Sequence, residues 1–272
     1  DWSWSRGLEM CIRDSINSTG YVFTKVPNPN DIKKEIQSFT KSNDVKGTII
    51  ISSEGINVNL SGVLGAVSKL ESYIKEKLKF CDIDFKRTSS NIPSFRKFVV
   101  KIKPEIVTSK INVQIDKANS NSHISPENFQ KELKKKKDLY LLDVRNNYEI
   151  NLGTFKNANY LNIQSFTEFP EASKTLPKDR EIVMFCTGGI RCEKAYKYLK
   201  SQNFNAVKQL QGGIINYLNK TNGEYWEGEC FVFDDRITLD KNLDPTYQNL
   251  CPRCQKIINA FDRSNCQICK EL

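Results

Sequence analysis

Residues 182–195 read Ile-Val-Met-Phe-Cys-Thr-Gly-Gly-Ile-Arg-Cys-Glu-Lys-Ala. An apolar run stops at Cys186, passes Gly188 and Gly189, and reaches Arg191 where a helical pattern begins. That order suits an activated thiolate. A buried strand fixes the backbone of Cys186. The two glycines let the loop Thr187, Gly188, Gly189, Ile190 curl until successive N–H groups converge on one point. The positive end of the next helix favours negative charge there. A thiol in such surroundings ionises near neutral pH, and the thiolate is the nucleophilic form. Cys186 is the expected nucleophile, and Arg191 with the loop amides the expected stabiliser of negative charge. A buried cysteine beside an ordinary turn accounts for the glycines alone, but not for strand, cysteine, glycines, arginine and helix in succession.

Four residues separate Cys186 from Arg191, a Cys-x-x-Gly-x-Arg spacing. This resembles the active-site loop of rhodanese domains, whose cysteine carries a persulfide sulfur. Cysteine-dependent phosphatases have a similar loop with one more residue, sized for a tetrahedral phosphate. Taken with Gly228-Glu229-Cys230-Phe231-Val232-Phe233-Asp234-Asp235-Arg236, the loop resembles the rhodanese-related tRNA uridine hydroxylases. Glu54-Gly55-Ile56-Asn57 and Leu142-Asp143-Val144-Arg145-Asn146-Asn147-Tyr148-Glu149 extend the likeness toward the N-terminus. The resemblance implies oxygen-dependent 5-hydroxylation of the wobble uridine in tRNA, with molecular oxygen as co-substrate and tRNA as partner. Two rivals remain: a sulfurtransferase that takes sulfur from thiosulfate or a protein persulfide, and an RNA-binding adaptor with a vestigial loop. The intact cysteine and arginine weigh against the adaptor.

In rhodanese-like domains the position held here by Asp143 and Arg145 buttresses the loop from behind, so the pair is expected to be structural. Cys192, directly after Arg191, is either a resolving thiol for an oxidised Cys186 or a structural helix cysteine; the second is the safer reading. His123 is the sole histidine. It falls at a linker edge, which leaves the loop itself to activate Cys186. The chain carries no flavin, haem or NAD signature and no His-carboxylate iron triad.

Near the end, Cys251-Pro252-Arg253-Cys254 and Cys266-Gln267-Ile268-Cys269 form two Cys-x-x-Cys pairs. Four soft thiolates at knuckle spacing suit a structural tetrahedral zinc, and two matched pairs exceed what one redox dithiol needs. A tail this short builds no apolar core of its own, so metal would supply its folding energy.

Length and composition set the frame. The 272 residues suffice for two domains and a small module. Hydrophobic content of 39% and charged content of 27% describe a water-facing globular chain. No apolar run is long enough for a membrane span, and no signal peptide opens the sequence. Nine cysteines, most in metal-like or catalytic patterns, suit a reducing cytoplasm rather than a disulfide framework. A net charge of +9 favours a polyanionic partner, although lysine-rich surfaces are common in AT-rich genomes. Nothing in the sequence fixes an oligomeric state.

The elements that must position these residues fall into blocks. Residues 1–15 lack periodicity and are expected to be non-native or outside any domain. Residues 17–108 give the strand-helix-strand-strand-helix-strand order of a ferredoxin-like α+β domain, with strands expected near 21–26, 48–51, 56–60, 83–85 and 98–102. On the last of these, Lys97, Lys101 and Lys103 share the face opposite Phe98, Val100 and Ile102, with Arg87 and Arg96 nearby in sequence. That basic stripe is either an RNA footprint or a solvated face. Residues 109–121 form a polar linker. From 122 to 222, apolar strands over 139–144, 160–163, 182–185 and 207–210 alternate with helices, as in a rhodanese-like parallel α/β domain. Residues 223–272 are a C-terminal extension carrying the four-cysteine zinc-binding module.

Overall fold

Alternation in Ile56-Asn57-Val58-Asn59-Leu60 commits that stretch to a strand with one dry face, and it lies at the centre of a five-stranded sheet. The computed structural model describes residues 15–80, 82–91, 93–113, 122–135, 139–251, 253 and 257–259. It divides into two compact units, the first ending at Val107 and the second beginning at Thr108.

The first unit contains β1 (Ser15–Phe23), α1 (Pro29–Thr40), β2 (Val45–Ser52), β3 (Gly55–Val63), α2 (Leu64–Ser72), β4 (Lys86–Ser90) and β5 (Phe98–Ile102). Its sheet order is β4-β1-β3-β2-β5. The first four strands are antiparallel in the ferredoxin-like arrangement, and β5 is added parallel to β2. Ile36 of α1 and Val67 and Leu70 of α2 pack with Ile49, Ile51, Ile56, Val58 and Leu60 in its core.

Two strands differ from expectation. β1 starts at Ser15, not near residue 21, and so includes the last residue of the segment read as non-native; residues 1–14 lie outside the described residues. Its polar composition hid it: Ser18 donates to the buried Glu71 of α2 at 2.5 Å, a polar bond where a strand usually presents an apolar residue. β4 occupies Lys86–Ser90, while Ile83 and Phe85, expected to form it, pack on the core just before it.

The second unit contains β6 (His123–Ile124), α3 (Pro126–Lys134), β7 (Tyr140–Asp143), α4 (Asn147–Ile150), β8 (Gly153–Phe155), β9 (Asn159–Tyr160), α5 (Phe169–Ala172), β10 (Ile182–Phe185), α6 (Ile190–Ser201), β11 (Val207–Leu210) and α7 (Gly213–Lys220). β6-β11-β10-β7-β9 form one parallel sheet. Every residue of β10 is buried, as a strand covered on both faces requires. Ile182, Met184 and Cys186 face a core shared with α5 and α6; Val183 and Phe185 face one shared with α3 and α7. In that second core the Phe155 ring makes edge contacts with Phe129, Phe185, Tyr217 and Trp226 at 4.8–5.2 Å between centroids.

Two expected boundaries shift. Ser109 and Ile111 are buried, and Ile111 joins the core of the second unit, so the start of the expected linker is packed chain; 114–121 lie outside the described residues. The extension after 222 is likewise part of this unit. Its strand β12 (Trp226–Gly228) pairs with β8, β13 (Cys230–Phe231) pairs with β14 (Thr238–Leu239), and Trp226, Cys230, Val232, Leu239 and Leu243 complete the second core. Beyond it, β15 (Gln248–Leu250) pairs with β16 (Ile257–Asn259). Cys254, Cys266 and Cys269 lie outside the described residues; Cys251 is buried. Among the described residues no group of three or more His, Cys, Asp or Glu could hold a metal ion, and no helix is long and apolar enough to cross a membrane.

Candidate active site

Parallel pairing of β7 with β10 sets Asp143 level with Phe185, and the Val144 N–H donates to the Phe185 carbonyl at 3.1 Å. The chain therefore leaves both strands at one carboxyl edge, where open α/β sheets place their sites. The Cys186 loop departs from β10 and the Arg145 turn from β7.

The loop is shaped from two sides. On the inner side Gly189, at φ 97°, adopts a left-handed conformation that glycine reaches without strain, and its N–H donates to the Cys186 sulfur at 3.2 Å. On the outer side the first turn of α7 takes up the loop carbonyls: Ile214 N–H bonds Cys186 O at 3.0 Å and Ile215 N–H bonds Thr187 O at 3.1 Å. Carbonyls turned toward α7 leave the loop amides to face the sulfur. Gly213, at φ 67°, makes the approach possible, because a Cβ there would collide with the carbonyl oxygens of Cys186 and Thr187. Gly212-Gly213-Ile214 thus belongs to the site, although in the sequence it reads only as the opening of a helix.

Cys186 is almost completely buried, and burial by itself pushes its thiol up. A hydrogen bond from the Cys192 thiol, the charge of Arg191 and the N–H groups of Cys192 and Arg191 outweigh that penalty and lower it to about 6. For Cys192, burial and its bond to Cys186 hold the proton on, well above the ordinary thiol value. Of the two sulfurs, Cys186 carries the charge and Cys192 donates to it. Cys192 is a buried cysteine of α6 and packs in the same core cluster as Cys186.

The arginine fork is occupied differently from expectation. Arg191 Nη1 donates to Glu149 Oε2 at 2.6 Å and Nη2 to Glu149 Oε1 at 2.7 Å, while only a long 3.5 Å contact reaches the loop, at Thr187 Oγ1. Both partners are buried. Burial raises the Glu149 carboxyl, but the adjacent guanidinium overrides this and holds it below the usual carboxylate value. The Asn146 N–H adds a third bond, to Glu149 Oε2 at 3.1 Å. Arg191 thus acts on the sulfur through its charge, and Glu149 fixes where that charge sits. Sequence reading missed Glu149 as a site residue. The available signal was Asn146 three residues before Glu149, a capping-box spacing directly after the Asp143–Arg145 pair.

Asp143 and Arg145 lie behind the loop, fully buried. Arg145 Nε and Nη2 bond the Asp143 carboxylate at 3.0 and 2.7 Å, Nη2 also bonds Gly153 O, and the guanidinium lies over Trp226. Thr154 donates to the same carboxylate at 2.8 Å. Cys230 is buried, and burial pushes its thiol up to about 12, so it remains protonated at neutral pH. His123 is the first residue of β6, at the edge of the expected linker. Its ring nitrogens meet Ser122 Oγ at 2.9 Å and Glu193 Oε1 at 3.1 Å.

In the first unit Lys97, Lys101 and Lys103 are exposed, whereas Val100 on the opposite face is buried in the core. Arg87 does not join them, because its guanidinium binds Glu71 and Ser68 of α2.

One matched region falls in each unit. Residues 16–106 match the UPF0176 acylphosphatase like domain, and residues 125–220 match the Rhodanese-like domain. Over nearly the whole chain, relatives bear the name tRNA uridine(34) hydroxylase. That of Wolbachia sp. subsp. Brugia malayi is 38% identical over 247 residues, 89% of this chain and 91% of the relative. The Legionella pneumophila (strain Paris) protein is 38% identical over 88% of this chain and 96% of its own length. The Bdellovibrio bacteriovorus protein is 40% identical over 86% of this chain and 68% of the longer relative. Similarity of this degree, running through the first unit and through the unit that carries the Cys186 loop, makes the chain a member of the tRNA uridine(34) hydroxylase family.

Proposed function

We propose that this protein hydroxylates uridine 34 of tRNA at carbon 5, with molecular oxygen as co-substrate and Cys186 as the reactive group. The observation that carries the reading is a buried Cys186 sulfur that accepts the Gly189 N–H at 3.2 Å inside a loop held by α7, in a chain of the hydroxylase family. Cys186 is ionised at neutral pH without a histidine. Arg191 and the loop amides hold negative charge on its sulfur or on an oxygen species beside it. Glu149 positions Arg191, and Asp143 with Arg145 supports the loop from behind. Lys97, Lys101 and Lys103 meet tRNA phosphates, and the cysteine usage suits a cytoplasmic enzyme.

The decisive measurement is nucleoside mass spectrometry of tRNA from cells that contain or lack this protein, grown in air and under nitrogen. Hydroxylated uridine 34 should require the protein, oxygen and Cys186, and Cys186→Ser should abolish it while leaving the fold intact, since a serine hydroxyl stays protonated. Equal hydroxylation in the deletion strain would refute the assignment. The six-residue loop also fits a persulfide, which favours sulfurtransfer as the second reading. Thiosulfate-to-cyanide turnover that depends on Cys186, in protein that leaves tRNA unmodified, would select it.

We also propose one structural zinc held by Cys251, Cys254, Cys266 and Cys269. The donor set supports it, four soft thiolates at knuckle spacing, the first of them directly after β15.

A further inference from the structure

The motif at 228–236 carries no role in the reading above, yet most of it builds one rigid projection beside the loop. β13 and β14 pair through Cys230 and Phe231, and the Val232 N–H closes the turn onto Ile237 O at 2.8 Å. Inside the turn Asp234 takes three bonds from Arg236, from its N–H at 3.0 Å, Nε at 2.8 Å and Nη2 at 2.6 Å. A turn braced in this way presents Phe233, which is 62% exposed. Its ring meets Phe231 edge-on at 5.1 Å, Phe231 meets Tyr148 edge-on at 5.4 Å, and the Arg191 guanidinium lies 5.8 Å from the Phe233 centroid. The Thr187 hydroxyl reaches Phe231 O at 3.5 Å, so β13 runs directly alongside the active-site loop.

A singly exposed aromatic is ordinary on a protein surface; what marks Phe233 is its place, on a braced turn against the guanidinium of the active-site arginine. Held against the arginine of a site that acts on a pyrimidine, it offers a π face to a planar base at little cost in order. We propose that Phe233 is the stacking platform for the target uracil, and that Tyr148 and Phe231 hold its ring in place. The inference rests on the hydroxylase reading and adds to it the residue that seats the base. Phe233 is a positioning residue: it grips the base and does not take part in proton or electron transfer.

The test is a coupling cycle on binding, which needs no turnover. Affinities are measured for full-length wild type, Phe233→Leu and Phe233→Tyr. The probes are an anticodon stem-loop RNA with uridine at the wobble position and the same RNA with that base removed. Wild type should lose roughly 5- to 150-fold in affinity when the base is removed, the range of one base–aromatic stack. Phe233→Leu should bind both RNAs with the weaker affinity, and Phe233→Tyr should restore the discrimination. In turnover, Phe233→Leu should raise KM far more than it lowers kcat. Equal discrimination by wild type and Phe233→Leu would overturn the proposal, as would coupling to a neighbouring nucleotide instead, or a change in self-association with no change in RNA affinity. Hydroxylation by wild type is assayed in parallel, so that failure of the reaction is distinguished from failure of the platform.

Discussion

Arg191 and Glu149, 42 residues apart, close a two-point ion pair of 2.6 and 2.7 Å beneath the Cys186 loop. Neither group is solvated, so each depends on the other. Glu149→Ala should destabilise the protein by about 3–5 kcal/mol, the usual consequence of leaving a buried charge without its partner. Calorimetry reads this as a lower unfolding temperature for the second unit, and an unchanged transition would show that Arg191 finds another partner. Arg191→Lys should also impair hydroxylation, because one ammonium cannot meet both carboxylate oxygens in a plane. Turnover at the wild-type rate would reduce the fork geometry to a simple charge.

The thiolate should titrate in acid. Alkylation of Cys186 should rise with pH around a midpoint near the value of about 6. Replacing Cys192 with alanine removes the strongest favourable contact and should move that midpoint up. Stability follows the same group. Its folded value lies below the ordinary 9.0, so the unfolded chain binds the extra proton between the two. The contribution is therefore fully present above pH 9 and is lost as pH falls through about 6. A Cys192→Ala protein with an unshifted alkylation profile would remove that thiol from the activation of Cys186.

Gly213→Ala should be damaging out of proportion to one methyl group. The left-handed conformation costs a side chain about 1–2 kcal/mol, and the methyl would meet two loop carbonyls as well. The loop should shift away from α7, which slows alkylation of Cys186 and lowers hydroxylation. Wild-type alkylation kinetics in this variant would mean that the α7 contact does not shape the loop.

Binding of tRNA should weaken steeply with salt, because phosphate contacts release counterions. Replacing Lys97, Lys101 and Lys103 together with glutamine should lower affinity and flatten the plot of log affinity against log salt. An identical slope would move the footprint off β5.

Protein kept reduced and away from chelators should contain about one zinc per chain if four thiolates form a closed tetrahedral site. Acid should release it, since the ligands bind as thiolates. Metal analysis that finds none would refute the knuckle. The β7–β10 sheet should survive zinc removal, because its two cores are built from other residues.

What the sequence determined by itself is local. The run from Ile182 through Arg191 is strand, loop and helix start in one unbroken stretch, so backbone preference and spacing are enough to read the Cys186 loop. Alternation exposed β3, and a continuous apolar run exposed β10, since side-chain period follows strand environment. β1 escaped because its buried Ser18 meets a carboxylate instead of an apolar neighbour, which leaves no hydrophobic period to find. The tertiary structure decided everything that joins distant segments. Glu149 meets Arg191 only because β7 lies beside β10 in the parallel sheet. Gly213 touches Cys186 only because α7 starts at the same edge, and Phe233 stands over Arg191 only because the extension folds back along the loop. Parallel strands are joined through crossovers and need not follow chain order, so their neighbours are set by how whole faces pack. The charge on Cys186 belongs to that second level: a thiol this deeply buried stays protonated unless packing delivers a donor and a cation to it.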